Sequence, residues 1–202
     1  MKSHITEEKI LEAATEVFQT KGMDGARMQE IAEKASINKA MLHYYYRGKE
    51  KLFQAVFNRT IQMIIPKMIK IIGSDEPLFD KIRNFTDKYI SFVMVHPYIP
   101  LFVINELEKH PEMLDNIIKT NVDGEIRTKL TNEIEDLIEK GEINPINPEQ
   151  LFLNILSMSI FPIMAQTSLR TILQKDKKQY KKLLEERKEF IAEFIIAALK
   201  KK

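Results

Sequence analysis

The sequence predicts an all-α chain, and three observations carry that expectation. Only six glycines occur in 202 residues, no long stretch of alternating β-branched residues is present, and Leu, Ile, Lys and Glu are abundant, their apolar members recurring at helical spacing. Apolar residues make up 44% and charged residues 30%, a globular rather than disordered balance. The length supports a substantial core in one domain or two small ones. The pattern divides into a short three-helix segment, residues 1–50, and a larger helical segment, residues 51–202.

The first helix is expected to start at Thr6 as N-cap, with Glu7 and Glu8 in the first turn, where the helix dipole favours anions. Ile10, Leu11, Ala14, Val17 and Phe18 form its apolar face, and Gly22 ends it. A second helix, about Met28 to Ala35, sets Met28, Ile31, Ala32 and Ala35 at i, i+3, i+4 and i+7. Ser36, Ile37 and Asn38 break it, and Asn38 is a good N-cap for a third helix, Lys39 to Tyr45. Met41 and Leu42 there are expected inward, leaving Lys39, Ala40, His43 and Tyr44 outward.

Two helices joined by three or four residues suggest a helix-turn-helix. That motif suits DNA: a helix fits the major groove, side chains near its N-terminus reach base edges, and flanking groups hold phosphates. The net charge is only +2, which excludes a generic polycation and requires a local patch. Between Arg27 and Lys51 six Lys or Arg stand against three acids, a local excess of +3.

The pattern IAxxAxxxxxxLxxYYxxKEKLF, entered from VFxxxGxxGA, resembles the DNA-binding domain of the TetR family of transcriptional regulators over roughly residues 6 to 55. The resemblance implies that Arg27, Lys39, Ala40, Met41, His43, Tyr44, Tyr45 and Lys49 meet DNA. Tyr45 would reach a phosphate through its hydroxyl, Lys49 would hold another, and Tyr46 would replace a core phenylalanine. The chain departs from the family at Ala26 and Arg27, where a hydroxyl usually caps the second helix, and at Ser36 and Ile37, where a Gly-Val turn is usual. Ser36 is therefore expected to take a left-handed backbone at some strain, or another conformation.

Gly48 can cap a fourth helix, Lys49 to about Ile72, which Pro66 interrupts by removing a hydrogen bond. GSDEP follows as a corner. Pro77 opens a fifth helix striped by Leu78, Ile82, Phe85, Tyr89, Phe92, Val93 and His96, and Pro97 stops it. YIPLFVINELEKH suggests a short helix buried in the middle of the larger domain. His110-Pro111-Glu112 starts another, running to about Lys140 with Gly124 as a possible bend. NPINPEQ is a turn with Asn147 as N-cap. The last two helices, about 148 to 174 and 177 to 200, carry apolar surface on more than one face and read as an association surface for a homodimer.

Function classes are excluded by what the sequence lacks. Zero cysteines rule out disulfides and thiolate chemistry. The four histidines show no metal-ligand spacing, and no nucleophile elbow, phosphate-binding Gly loop or distinctive carboxylate pair occurs, so neither an enzyme nor a metal or other cofactor is expected. The acidic turn of the N-terminus does not fit a signal peptide, and Leu151 to Ala165 is too short and interrupted to span a bilayer. A soluble cytoplasmic protein with no membrane partner is the expectation.

By the resemblance the larger domain holds dimer contacts and a small-molecule pocket. Phe92, Phe102, Met158, Phe161 and Met164 would line it, with Tyr89, His96, Asn105, Arg127 or Gln166 as polar anchors. A Met and Phe stripe is more often ordinary core. The expected whole is a regulator, released from a palindromic double-stranded DNA operator by a small apolar or amphipathic effector. The alternative is a helical protein-interaction module without sequence-specific DNA binding.

Overall fold

The computed structural model describes residues 2–97, 99–112 and 124–201. Among them the chain is helical: α1 (Lys2–Gly25), α2 (Met28–Lys34), α3 (Lys39–Tyr45), α4 (Lys49–Ile72), α5 (Leu78–Val95), α6 (Ile99–Lys109), α7 (Gly124–Glu139), α8 (Pro148–Met164), α9 (Gln166–Ile172) and α10 (Lys177–Leu199). Much of the expected helix between residue 112 and Gly124 lies outside the described residues. The helices gather into two compact units, one of residues 1–63 and 101–109, the other of residues 64–100 and 110–202.

The first unit is built on the apolar faces read from the sequence. Ile10, Ala14, Val17 and Phe18 of α1, Ile31 and Ala32 of α2, and Leu42 of α3 are all buried. Its boundary lies beyond residue 50 because the first half of α4 supplies Leu52, Phe53, Val56 and Phe57 to the same core. Phe53 meets Phe18 edge-on with ring centroids 5.0 Å apart. The chain also returns to this unit: Phe102 of α6 sits 5.4 Å from Phe53 and 5.9 Å from Phe57. Thus α6 is not the buried central helix of the larger unit. Its first residues, the buried Ile99 and Pro100, belong to the larger unit, but from residue 101 it buries Phe102 and Glu106 while Leu101, Ile104 and Asn105 are exposed.

Two expectations for α1 change. The helix starts at Lys2, so Thr6 lies within it rather than capping it. Glu7 and Glu8 consequently serve tertiary contacts: Tyr46 Oη donates to Glu7 Oε1 at 3.2 Å, and Glu8 pairs with Arg59 of α4. Gly22 breaks the helical geometry at φ +66°, where glycine carries no Cβ penalty, and a last turn follows.

The second unit has its core among α5, α8 and α10, where Ile82, Phe85, Ile90, Ile155, Ile163, Leu184, Ile191 and Ile195 are buried. Asn147 caps α8 by accepting from the Glu149 and Gln150 amides, as its position implies. The last turn-rich segment splits the helix expected over 148–174, since the axis bends by 78° between α8 and α9. Pro162 cannot donate to the Met158 carbonyl one turn back, and Arg187 Nε does so instead at 3.1 Å. Tyr180 Oη then satisfies the Pro162 carbonyl at 2.7 Å. Asp176 and Gln179 form a capping box at the start of α10, and the Asn144 side chain donates to the Ala198 and Lys200 carbonyls at its end. No single helix among the described residues is long and apolar enough to cross a membrane.

Candidate nucleic-acid interface

The turn between α2 and α3 is held by backbone geometry. Ser36 takes φ +56°, the left-handed conformation that glycine adopts more easily, so the strain expected there is present. The Ile37 amide donates to the Ala32 carbonyl at 3.0 Å, closing the turn. Asn38 then caps α3, its Oδ1 accepting from the Met41 amide at 2.7 Å. At α2 the N-cap is Arg27, whose side chain makes no capping bond, as the missing hydroxyl implies.

Leu42 alone is buried on α3. Lys39, Ala40, His43 and Tyr44 are exposed, Tyr44 by 83%. Met41 is exposed as well, contrary to the inward expectation, because one buried residue suffices to seat a two-turn helix. Tyr45 is half-buried and meets Tyr44 edge-on at 5.6 Å. Tyr46 occupies the margin of the core; burial and the Glu7 carboxylate push its phenol up to about 12. Five of the expected DNA-contacting residues, Lys39 to Tyr44 without the buried Leu42, therefore form one open helix surface.

Charge is sorted around that surface. Lys21 pairs with Glu30 and Lys34 with Glu16, which takes two cations out of play. Arg27, Lys39, Arg47 and Lys51 are exposed with no carboxylate partner among the described residues. Lys49 Nζ lies 3.4 Å from the Ala26 carbonyl, tying the start of α4 to the entry of α2. The result is an exposed short helix with aromatic and methionine side chains, ringed by unpaired cations, on a helix-turn-helix. That arrangement defines a DNA-binding protein.

Comparison with known proteins gives the particular family. The family described as "Bacterial regulatory proteins, tetR family" matches residues 10–56. The biofilm operon icaADBC negative transcriptional regulator IcaR of Staphylococcus epidermidis is 31% identical over 127 residues, 63% of this chain and 66% of IcaR. The regulator RutR of Escherichia coli K12 is 25% identical over 150 residues, 72% of this chain and 68% of RutR. The matched segments thus span about two thirds of these relatives. Among solved structures, a TetR transcriptional regulator from Chloroflexus aurantiacus superposes with a TM-score of 0.68 at 21% identity, covering 98% of both chains. The hemolysin II regulator HlyIIR superposes with a TM-score of 0.64 at 22% identity over both whole chains, and these two likenesses speak to the fold alone. The chain belongs to the TetR family and is a DNA-binding transcriptional regulator.

The residues expected to line an effector pocket are divided between the units. Phe102 and Asn105 belong to the first unit, Phe102 as core and Asn105 exposed. The Arg127 side chain lies outside the described residues. In the second unit Tyr89 stacks on Phe85 at 5.5 Å, and burial pushes its phenol up to about 12. Phe92 meets His96 at 4.8 Å, and burial with nearby Lys67 holds the imidazole below its ordinary range. Met158 is half-buried and engages Arg187 through its carbonyl. Gln166 is half-buried at the start of α9. Phe161 and Met164 are exposed because the inward face of α8 is instead Ile155, Ser159 and Ile163.

An apolar cleft does open in the second unit, at the other end of α5. It is lined by Leu78, Lys81, Ile82, Leu130, Leu151 and Ile155 among others. The sequence reading missed it. Its signal was a charge inside an apolar stripe, Lys81 between Leu78 and Ile82.

Proposed function

We propose that the chain acts as a homodimeric repressor, released from a palindromic operator by a small apolar or amphipathic effector. The observation that carries the dimer is an exposed apolar stripe on helices whose other faces fill a core. Leu153, Phe161 and Met164 of α8 and Phe190 and Phe194 of α10 are all exposed, and the Phe190 and Phe194 rings stack at 6.2 Å. A second copy covers such a stripe by presenting the same one. Support for repression comes from IcaR, which is named a negative regulator.

In this reading the first unit reads DNA, the second binds effector and partner, and the protein works in the cytoplasm. Arg27, Tyr45 and Lys49 hold phosphates, and Lys39, Ala40, Met41, His43 and Tyr44 face base edges. Effector favours one setting of α4, which runs from one unit into the other, and so changes the spacing of the two recognition helices. Operator binding requires a spacing near one DNA turn, about 34–36 Å, so a shift of a few ångströms releases it.

Selection from random duplex DNA tests the reading. The expected product is a pseudo-palindrome with half-sites one helical turn apart. Recovery of single half-sites only would refute the dimeric operator, and no enrichment at all would refute the palindromic operator altogether.

A further inference from the structure

Lys81 is a charged side chain in a place built for hydrocarbon. It projects from the apolar face of α5, is only 5% exposed, and lines a cleft with Leu78, Ile82, Phe85, Leu130 and Ile155. Its salt-bridge partner, Glu133 of α7, does not line the cleft. Glu133 faces the outer groove of α7 with Lys129, Asn132 and Asp136, and its side chain is 24% exposed. The ion pair therefore stands between an apolar interior and a polar exterior, and its two members are unequally committed. Glu133 can turn into water at little cost. Lys81 cannot, and a buried ammonium left without a counter-ion is strongly destabilising.

The shape of the cleft limits what enters. It encloses about 460 Å³ of empty space counting its open mouth, but only about 50 Å³ is wide enough to hold the centre of a water molecule. A slender chain fits such a space better than a fused ring system. A neutral guest that pushed Glu133 aside would strand Lys81, and a cationic guest would add a like charge. A guest with its own carboxylate replaces Glu133 and keeps the ammonium paired.

We propose that this cleft binds a slender monoanionic amphiphile, an alkyl carboxylate, with its head on Lys81 in place of Glu133 and its chain among Leu78, Ile82 and Leu130. The proposal rests on the effector reading above and names the chemical class of that effector.

Calorimetric titration of the intact protein with octanoate, octanol and octylammonium tests it without DNA. Octanoate is expected to bind saturably, with octanol and octylammonium at least about tenfold weaker. Lys81→Met should abolish the preference for octanoate over octanol. Glu133→Gln removes the competing carboxylate and should tighten octanoate binding about tenfold. Folded wild-type protein that does not bind octanoate, or that binds octanol equally well, overturns the proposal, as does octanoate binding unchanged by Lys81→Met. Should Lys81→Met fail to fold, Glu133→Gln decides, and octanoate binding no tighter than wild type overturns the proposal. Release of the selected operator by a neutral compound would sink the anionic class and leave the effector-released repressor standing, whereas failure to select any operator would sink the latter.

Discussion

Phe102→Ala should destabilise the DNA-binding unit although residue 102 lies far along the chain from the helix-turn-helix. The side chain is 5% exposed, and its ring lies within 6 Å of those of Phe53 and Phe57, on the half of α4 that completes the core around Phe18. Truncating a buried phenylalanine removes its transfer free energy and leaves a cavity, together about 3–5 kcal/mol. Part of that loss is the edge-on aromatic pairing, roughly 1 kcal/mol. Leu101→Ala is the control, since Leu101 is exposed on the same helix and its loss should change stability by no more than about 0.5 kcal/mol. Urea denaturation followed by circular dichroism reads both. A loss below about 1 kcal/mol for Phe102→Ala, or equal losses for the two variants, would refute the placement of α6 in this core.

Four further outcomes are expected. Tyr45→Phe and Lys49→Ala should weaken operator binding evenly across sequences, with Lys49→Ala lowering the salt slope by about one, whereas Lys39→Ala and His43→Ala should relax base preference; selection and salt titration of each variant would expose a misassignment. Phe194→Glu, at a position 55% exposed, should leave the monomer folded and dissociate the dimer by placing a charge against apolar surface, and a dimer persisting at micromolar concentration in sedimentation would move the interface elsewhere. Ser36→Gly should relieve the left-handed backbone and raise the urea midpoint by an equivalent of up to about 1 kcal/mol, so a lowered midpoint would contradict the strain. His96, held below its ordinary pKa of 6.5 by burial and Lys67, contributes stability that is complete above pH 6.5 and is lost as pH falls through its depressed folded value; His96→Asn should flatten that acid limb of a stability–pH profile, and an unchanged limb would remove His96 from it.

Local signals were legible in the sequence wherever one residue and its near neighbours decide the outcome. Asn38 and Asn147 cap because a short side-chain acceptor reaches amides two or three residues on, and the spacing of Ile31, Ala32 and Ala35 marks a face whatever packs against it. The open face of α3 was legible for the same reason, apart from Met41. What a helix packs against is not a local property. The period of α6 shows a buried face without showing that Phe102 turns to Phe53 rather than to the larger unit. The cleft depends on α5, α7 and α8 meeting, and Lys81 flags it only because a charge in an apolar stripe requires a partner that the sequence does not place.

The return of residues 101–109 to the first unit has a consequence for synthesis of the chain. The family signature ends at residue 56 and the leading part of the unit at residue 63, but the core is not closed until Phe102 is present. A chain emerging from the ribosome must therefore deliver the whole of α5, which belongs to the other unit, before the DNA-reading part can complete its packing. At about 5–20 residues per second that interval lasts a few seconds. During it the edge of α4 that Phe102 later covers is open to chaperones and proteases. For the same reason a fragment cut after residue 63 is an unfinished unit, and a transplantable DNA-binding module from this protein has to carry α6 with it.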